Sequence, residues 1–146
     1  GEAATLFGCL ADENVSVDMI IQSYARKTSN TNDIAFTINK EDLPKAMEVL
    51  EDVKIKLGAA DVKIDDNIAK VSIIGAGMID RPGIASTMFK TLASNDINIR
   101  MISTSEIKIS CLINKDDAQK AVKALHDVFN LGCDEVAEVK GTLPDV

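Results

Sequence analysis

The segment whose residue types most suggest a binding function is a glycine-rich run that lies between an apolar stretch and a pattern typical of a helix. It reads Gly75-Ala-Gly77-Met-Ile-Asp80-Arg-Pro-Gly83. Glycines allow the backbone to approach a ligand closely. Pro82 suits the first turn of a helix, and Asp80 could cap that helix. The start of a helix offers free N–H groups to a carboxylate. The run lacks the third glycine of a dinucleotide-binding motif and the Gly-Lys-Ser/Thr end of a P-loop. It therefore indicates a carboxylate-binding helix start or a plain strand-to-helix turn.

The other reactive side chains form no catalytic or metal-binding pattern. His126 is the only histidine and lies beside a predicted core stripe, where a packed or surface role is the ordinary one. The cysteines (Cys9, Cys111 and Cys133) are far apart and lack metal-ligand spacing. We therefore predict no catalytic residue and no metal site. Reduced thiols indicate a cytoplasmic protein, with the plastid stroma as an alternative compartment.

Composition excludes two classes of partner. The 146 residues carry a formal charge of −7, and aromatic residues make up only 3% of them. A nucleic-acid partner needs clustered lysine and arginine, and base stacking needs strand aromatics, so we expect no nucleic acid. No apolar run approaches the roughly 20 residues of a membrane span, so we expect no membrane.

The sequence contains an internal repeat. Gly1–Ala11 matches Gly83–Ala93, and Asn39–Asp42 matches Asn114–Asp117. The offset falls from 82 to 75 residues between these matches, so the first copy carries about seven extra residues, which we place in a hairpin loop around 24–32.

Each copy predicts the same order of elements. A helical stripe comes first, two strands of alternating apolar residues follow, and a second helix and a short strand complete the copy. An apolar strand over 70–74 precedes the second copy and has no counterpart before Gly1. The sequence therefore predicts an α+β fold of two ferredoxin-like βαββαβ units, 1–66 and 67–146, the first lacking its opening strand. We expect the natural polypeptide to continue upstream.

The boundaries of the second helices are predicted from cap residues. Asn39 and Asn114 are the expected N-caps, and Gly58 and Gly132 the expected ends. Short closing strands are expected over 61–64 and 135–139.

Several runs resemble a known family. In the second copy they are Val71-Ser-Ile-Ile-Gly-Ala-Gly-Met78, Arg81-Pro-Gly83, Ile97-Asn-Ile-Arg-Met-Ile-Ser-Thr-Ser-Glu-Ile-Lys-Ile-Ser110 and Ala124-Leu-His126; in the first they are Asn14–Gln22 and Asn32–Thr37. These runs resemble the C-terminal regulatory half of aspartate kinases, which consists of paired ACT domains.

The resemblance implies a regulatory role. Aspartate kinases phosphorylate aspartate with ATP and Mg²⁺ in a separate catalytic domain, so this chain is expected to be inert and to need no cofactor. Its expected partners are L-lysine, L-threonine or both, a second copy bound through the ACT domains, and the kinase catalytic domain or subunit. Its expected function is feedback inhibition and subunit assembly.

The resemblance also implies effector-binding residues, in two groups. The first group is Gly1, Glu2, Ala3, Ser16, Val17, Asp18 and Gln22, with Asn98 and Ile99 of the second copy expected opposite. The second group is Asp80, Gly83, Ile84, Ala85, Ser105 and Glu106. Asp18 aligns with Arg100 between the copies, so the two sites are not chemically equivalent.

Two other functions remain open from the sequence. One is a purely structural ACT dimerisation module whose ligand site is not functional. The other is an enzyme of small ligands whose active site forms only between chains, for which the run Ser103-Thr-Ser-Glu106 is the only reactive cluster.

Overall fold

The computed structural model describes residues 1–23, 33–76, 78 and 81–132. The chain divides into two compact units, the first ending at Asp66 and the second beginning at Asn67. Over the part of the chain that the structure describes, none of the helices is both long and apolar enough to cross a bilayer. The predicted hairpin loop around 24–32 and the closing strand over 135–139 lie outside the described residues.

The first unit consists of two helices on a two-stranded antiparallel sheet. Its elements are α1 (Glu2–Asp12), β1 (Val17–Ser23), β2 (Asp33–Ile38) and α2 (Leu43–Leu57), with a 3₁₀ turn at Lys40–Asp42. Residues 59–67 form no strand, so the closing strand predicted over 61–64 is wrong. This segment carries three aspartates and a lysine, and it keeps most of its side chains in solvent.

The second unit adds one strand to the same plan. Its elements are β3 (Ile68–Ile74), α3 (Ile84–Ser94), β4 (Met101–Thr104), β5 (Lys108–Asn114) and α4 (Ala118–Val128), with a 3₁₀ turn at Lys115–Asp117. The sheet order is β3-β5-β4, and both pairings are antiparallel. The predicted α+β class and its repeated ferredoxin-like plan are confirmed.

The central strand shows what the extra strand contributes. Residues 109–113 of β5 are all buried, because β3 and β4 flank them on both sides. The equivalent strand β2 pairs only with β1 among the described residues, and its core-facing side chains are half-buried. With only β1 paired to it among the described residues, β2 is thus less buried than β5.

Each unit has its own apolar core under its pair of helices. The buried members of the first core are Leu6, Leu10, Val15, Ala46 and Val53. Those of the second are Val71, Met88, Leu92, Ile97, Ile109, Cys111, Ile113, Ala121 and Leu125. The helical members recur four or seven residues apart, which is the spacing of one helix face, so the amphipathic stripes predicted from the sequence are the buried ones.

The first helix of each unit ends in the same way. Asn14 and Asp96 adopt left-handed conformations, with φ of 57° and 56°. The next residue then donates its backbone N–H into the last turn, from Val15 to the Leu10 carbonyl at 2.9 Å and from Ile97 to the Leu92 carbonyl at 3.0 Å. Such a bond satisfies a carbonyl that the helix leaves free and turns the chain back.

Of the four cap predictions for the second helices, one is confirmed. Gly58 ends α2 in a left-handed conformation, as expected. Gly132 does not end α4; that helix stops at Val128, and Asn130 takes the left-handed position with φ of 52°. The expected N-caps, Asn39 and Asn114, precede the 3₁₀ turns instead, and the N-caps of α2 and α4 are Asp42 and Asp117.

Burial gives Cys111 unusual acid chemistry. Its side chain is fully buried in the second core, and this desolvation raises the pKa of its thiol from 9.0 to about 11. The folded unit therefore holds the thiol proton more tightly than the unfolded chain does.

We expect this difference to lower the stability of the second unit as the pH rises from 9 towards 11, because the unfolded chain then loses the proton first. The measurement is urea unfolding at pH 8 and pH 10 for the wild type and Cys111→Ala. The wild type should lose more free energy of unfolding than the variant between the two pH values. Cys9→Ala controls for removal of a thiol, and equal pH slopes for wild type and Cys111→Ala would contradict the expectation.

Candidate functional site

The first candidate group starts at the N-terminus of α1. Gly1 is the N-cap, and glycine has no side chain with which to cap the helix. Its carbonyl accepts the Thr5 N–H at 3.2 Å, which closes the first turn. Glu2 is exposed and Ala3 is half-buried. The N–H groups of the first turn are thus uncapped by Gly1, in a helix end that favours an anion.

The fold carries Gln22 to the same end of the unit. The bond from Val15 to Leu10 places the start of β1 beside the end of α1, so β1 runs back along the helix. Midway, the rings of Phe7 and Phe36 meet edge to face, with centroids 5.5 Å apart. Phe36 lies opposite Ile20 in the sheet, and Ile20 is two residues before Gln22 in β1.

Gln22 also lies on the appropriate face of the sheet. It pairs with Ile34, which packs against the first core beneath the helices. Paired residues share a face of an antiparallel sheet, so Gln22 lies on the helix-covered side. It remains exposed because it lies near the end of β1. The structure therefore brings the first turn of α1 and Gln22 to one end of the unit.

The structure places the remaining residues of the first group at the opposite end. Ser16 and Val17 lie where β1 begins, and Gln22 is five positions after Val17 along the strand. At the usual rise of a strand that separation is about 17 Å. Ser16 and Asp18 are exposed, whereas Val17 packs against the core. Within one unit, these three residues and the start of α1 do not form a single site.

A β-bulge separates the two ends. Val17 pairs with Ile38 and Ile20 pairs with Phe36, so β1 carries one residue more than β2 over this stretch. The hydroxyl of Thr37 accepts the backbone N–H of Met19 at 3.0 Å, which satisfies a donor inside the irregularity. Asp18 lies in the bulge.

The second candidate group starts in the same way as the first. Gly83 is the N-cap of α3, with φ of 101°, and its carbonyl accepts the Thr87 N–H at 2.8 Å. Ile84 and Ala85 are half-buried at the helix start. Pro82 precedes the N-cap, so the prediction that it lies in the first turn is wrong. Asp80, predicted as a cap and a ligand, lies outside the described residues.

Ser105 and Glu106 form the exposed turn between β4 and β5. The turn is closed by a bond of 2.7 Å from the Ser105 N–H to the Lys108 carbonyl. The Gly75 N–H also donates to the Ile107 carbonyl at 3.0 Å, so the turn lies beside the beginning of the glycine-rich run. The structure thus brings Ser105 and Glu106 close to the segment that leads to α3.

Asn98 and Ile99 belong to the second unit, where they precede β4. Asn98 is exposed, whereas Ile99 packs against the second core. They occupy the positions that Ser16 and Val17 occupy in the first unit.

Sequence reasoning missed a groove in the second unit. It has a volume of about 280 Å³ and is lined mostly by apolar side chains of β3, α3, α4 and the segment after α4, namely Val71, Ser72, Ile73, Ile74, Ile84, Val122, Leu125, His126, Phe129 and Leu131. Most of these residues follow the periodicity of a core, so the sequence pattern does not mark them as a surface. Ile84 alone had been singled out as a site residue.

The described residues hold no group of three or more histidine, cysteine or acidic side chains that could bind a metal ion. His126 is exposed on α4 and lines the groove.

Comparison with family models and with curated proteins finds sequences related to this chain. The family model for the ACT domain matches residues 1–53 and 71–129. The aspartokinase of Corynebacterium efficiens is 43% identical over 139 residues, which are 95% of this chain and 33% of that protein. The chain thus spans about a third of the length of the curated relatives it matches.

Solved structures show the same fold. The ligand-free regulatory subunit of aspartate kinase from Thermus thermophilus is 38% identical, with a TM-score of 0.80 over 87% of this chain and 82% of that one. Aspartokinase III of E. coli, solved in complex with lysine and aspartate, is 28% identical, with a TM-score of 0.58 over 86% of this chain and 26% of that one.

The left-handed conformation of Gly83 gives a test of the geometry at the start of α3. Any side chain there is strained, although no atom lies within 4 Å of the position of an added Cβ. We expect Gly83→Ala to lower the free energy of unfolding by about 1 kcal/mol or more. Gly8 lies inside α1 with open space around it, so Gly8→Ala should instead raise stability by up to about 1 kcal/mol. Thermal unfolding of both variants measures this, and a neutral Gly83→Ala would contradict the expectation.

Proposed function

Since the chain belongs to the ACT domain family, and its relatives are the regulatory regions of aspartokinases, we propose that it is an amino-acid-binding module that regulates an aspartokinase by feedback. The observation that carries the proposal is the match to a separate regulatory subunit over most of both chains. The proposed effectors are L-lysine, L-threonine or both. The lysine present in the aspartokinase III structure supports this choice of ligand class.

The chemistry of the first unit suits a free amino acid. Such a ligand carries a carboxylate and an ammonium group a few ångströms apart. The N–H groups at the start of α1 suit the carboxylate, because the helix end has positive partial charge. The Glu2 carboxylate and the amide oxygen of Gln22 can accept hydrogen bonds from the ammonium. An ionised ligand held in this way makes charge-assisted hydrogen bonds, which are selective as well as strong.

The separation within the first unit supports a site shared between chains. The start of α1 and the start of β1 lie at opposite ends of one unit, since Gln22, at the end where α1 starts, is about 17 Å along the strand from Val17. A single pocket that contains both Glu2 and Asp18 therefore needs them from two copies. We propose that the effector binds where copies meet and so favours one arrangement of them.

Regulation follows from that preference. An effector changes activity only to the extent that it binds one arrangement better than another. A tenfold preference supplies only about 1.4 kcal/mol, so several sites in one assembly are needed for tight control. We propose that the catalytic domain or subunit of an aspartokinase follows the arrangement that the effector favours.

The first test is calorimetric titration of the chain with L-lysine and, separately, with L-threonine. We expect binding of at least one in the micromolar to millimolar range. Gln22→Ala should weaken that binding at least about tenfold, as expected for the loss of a hydrogen bond to a charged group. Ser23→Ala, at the adjacent exposed position, is the control and should bind as the wild type does. Silence towards both amino acids would favour a purely structural dimerisation module.

A second test addresses the shared site. If the effector joins groups from two copies, it must promote association, because binding and assembly are thermodynamically linked. We expect sedimentation velocity to show a larger species, or a greater fraction of it, with the bound amino acid present. The same sedimentation profile with and without that amino acid, across a tenfold range of protein concentration, would contradict a shared site.

A further inference from the structure

We infer that the ring pair Phe7–Phe36 is a positioning device for the effector end of the first unit. The inference rests on the proposed function, since it concerns the same end of α1 and β1. Neither ring belongs to the candidate site itself. Both are half-buried, and they meet edge to face with an interplanar angle of 78°.

The pair links the two elements that carry the candidate groups. Phe7 is on α1, about 9 Å along the helix axis from Gly1 at 1.5 Å per residue. Phe36 is on β2, directly opposite Ile20, which is two residues from Gln22. The ring contact therefore lies between the helix start and the end of β1. It fixes how far α1 can slide or tilt over the sheet.

Apart from Leu6, which precedes Phe7 by one residue, the buried contacts of α1 lie towards its far end. Leu10 is completely buried, and its carbonyl binds the Val15 N–H beyond the helix. Leu6 is the buried residue nearest to the helix start, and residues 1–5 are exposed apart from half-buried Ala3. The first turn, where the ligand carboxylate is proposed to bind, thus depends on Leu6 and the ring pair for its position. Edge-to-face geometry adds orientation that an aliphatic contact lacks.

The second unit provides an internal comparison. Phe89 occupies the position of Phe7, and Cys111 occupies that of Phe36. Cysteine has no ring, so the equivalent aromatic pair cannot form there. Phe89 packs against the second core instead, as a partly buried apolar residue. The ring pair is therefore not a requirement of the fold, which both units adopt.

The test measures effector affinity in variants that remove one ring. Titration with L-lysine and with L-threonine is repeated on Phe36→Leu, Phe7→Leu and the double variant. Aromatic pairs of this geometry correspond to about a 2- to 10-fold effect on affinity if the loss falls on binding. We expect each single variant to bind more weakly within that range. The double variant should bind no more weakly than the weaker single one, because both substitutions remove one interaction.

Two further variants separate positioning from stability. Phe89→Leu is the same substitution at the equivalent position of the second unit; it should lower the melting temperature to a similar degree and leave affinity within twofold of the wild type. Phe36→Tyr keeps the ring and should retain wild-type affinity. Weak binding by Phe36→Leu and Phe7→Leu, with normal binding by these two controls, would support positioning.

The following outcomes would overturn the inference. Wild-type affinity in both leucine variants would overturn the inference and leave the proposed function standing. So would additive losses in the double variant, or an equal loss in Phe89→Leu, since each would show a general effect of destabilisation. A wild-type chain that binds neither amino acid would overturn the proposed function and this inference together.

Discussion

The reversal of the chain after the first helix of each unit determines where every candidate ligand group lies. One backbone hydrogen bond, from the third residue past the helix to the last helical turn, requires a left-handed residue in between. Because of that bond the next strand runs antiparallel to the helix. The helix start and the strand end are therefore at one pole of the unit, and the helix end and the strand start are at the other. Both poles keep this arrangement in both copies.

Much of this arrangement was predictable from the sequence, because periodicity reports burial. The stripes of α1 and α3 and the left-handed Gly58 follow directly from residue types, whereas the alternation of apolar residues in β5 does not reveal that residues 109–113 are all buried. The helix reversals were less visible, since asparagine and aspartate stand where glycine is the usual signal. Gly132 misled for the same reason: Asn130 reaches the left-handed conformation two residues earlier.

The candidate residues were named from the sequence, but the sequence did not give their geometry. The sequence analysis placed Glu2 and Asp18 in one candidate group, whereas the length of β1 places them at opposite poles of the unit. The bulge in β1 could not be read either, because an extra residue in one strand leaves no mark on composition. Its position depends on the pairing with β2, which is a tertiary property. Unit boundaries, by contrast, follow from the repeat itself.

The two copies show how a shared fold can acquire different recognition. Their core positions match in spacing and mostly in size, apart from Phe36 against Cys111. The polar positions at the poles differ: Glu2 stands against Ile84, Asp18 against Arg100 and Gln22 against Thr104. Packing constrains the residues at core positions, whereas the polar residues at the poles are free to vary with what they bind. The bulge in β1 has one more consequence. A regular exposed strand edge is a template for uncontrolled pairing with other chains, and an irregular one is a poor template. The extra residue between Val17 and Ile20 interrupts the regular spacing of β1, and the charge of Asp18 within the bulge makes that strand a still poorer template for indiscriminate pairing.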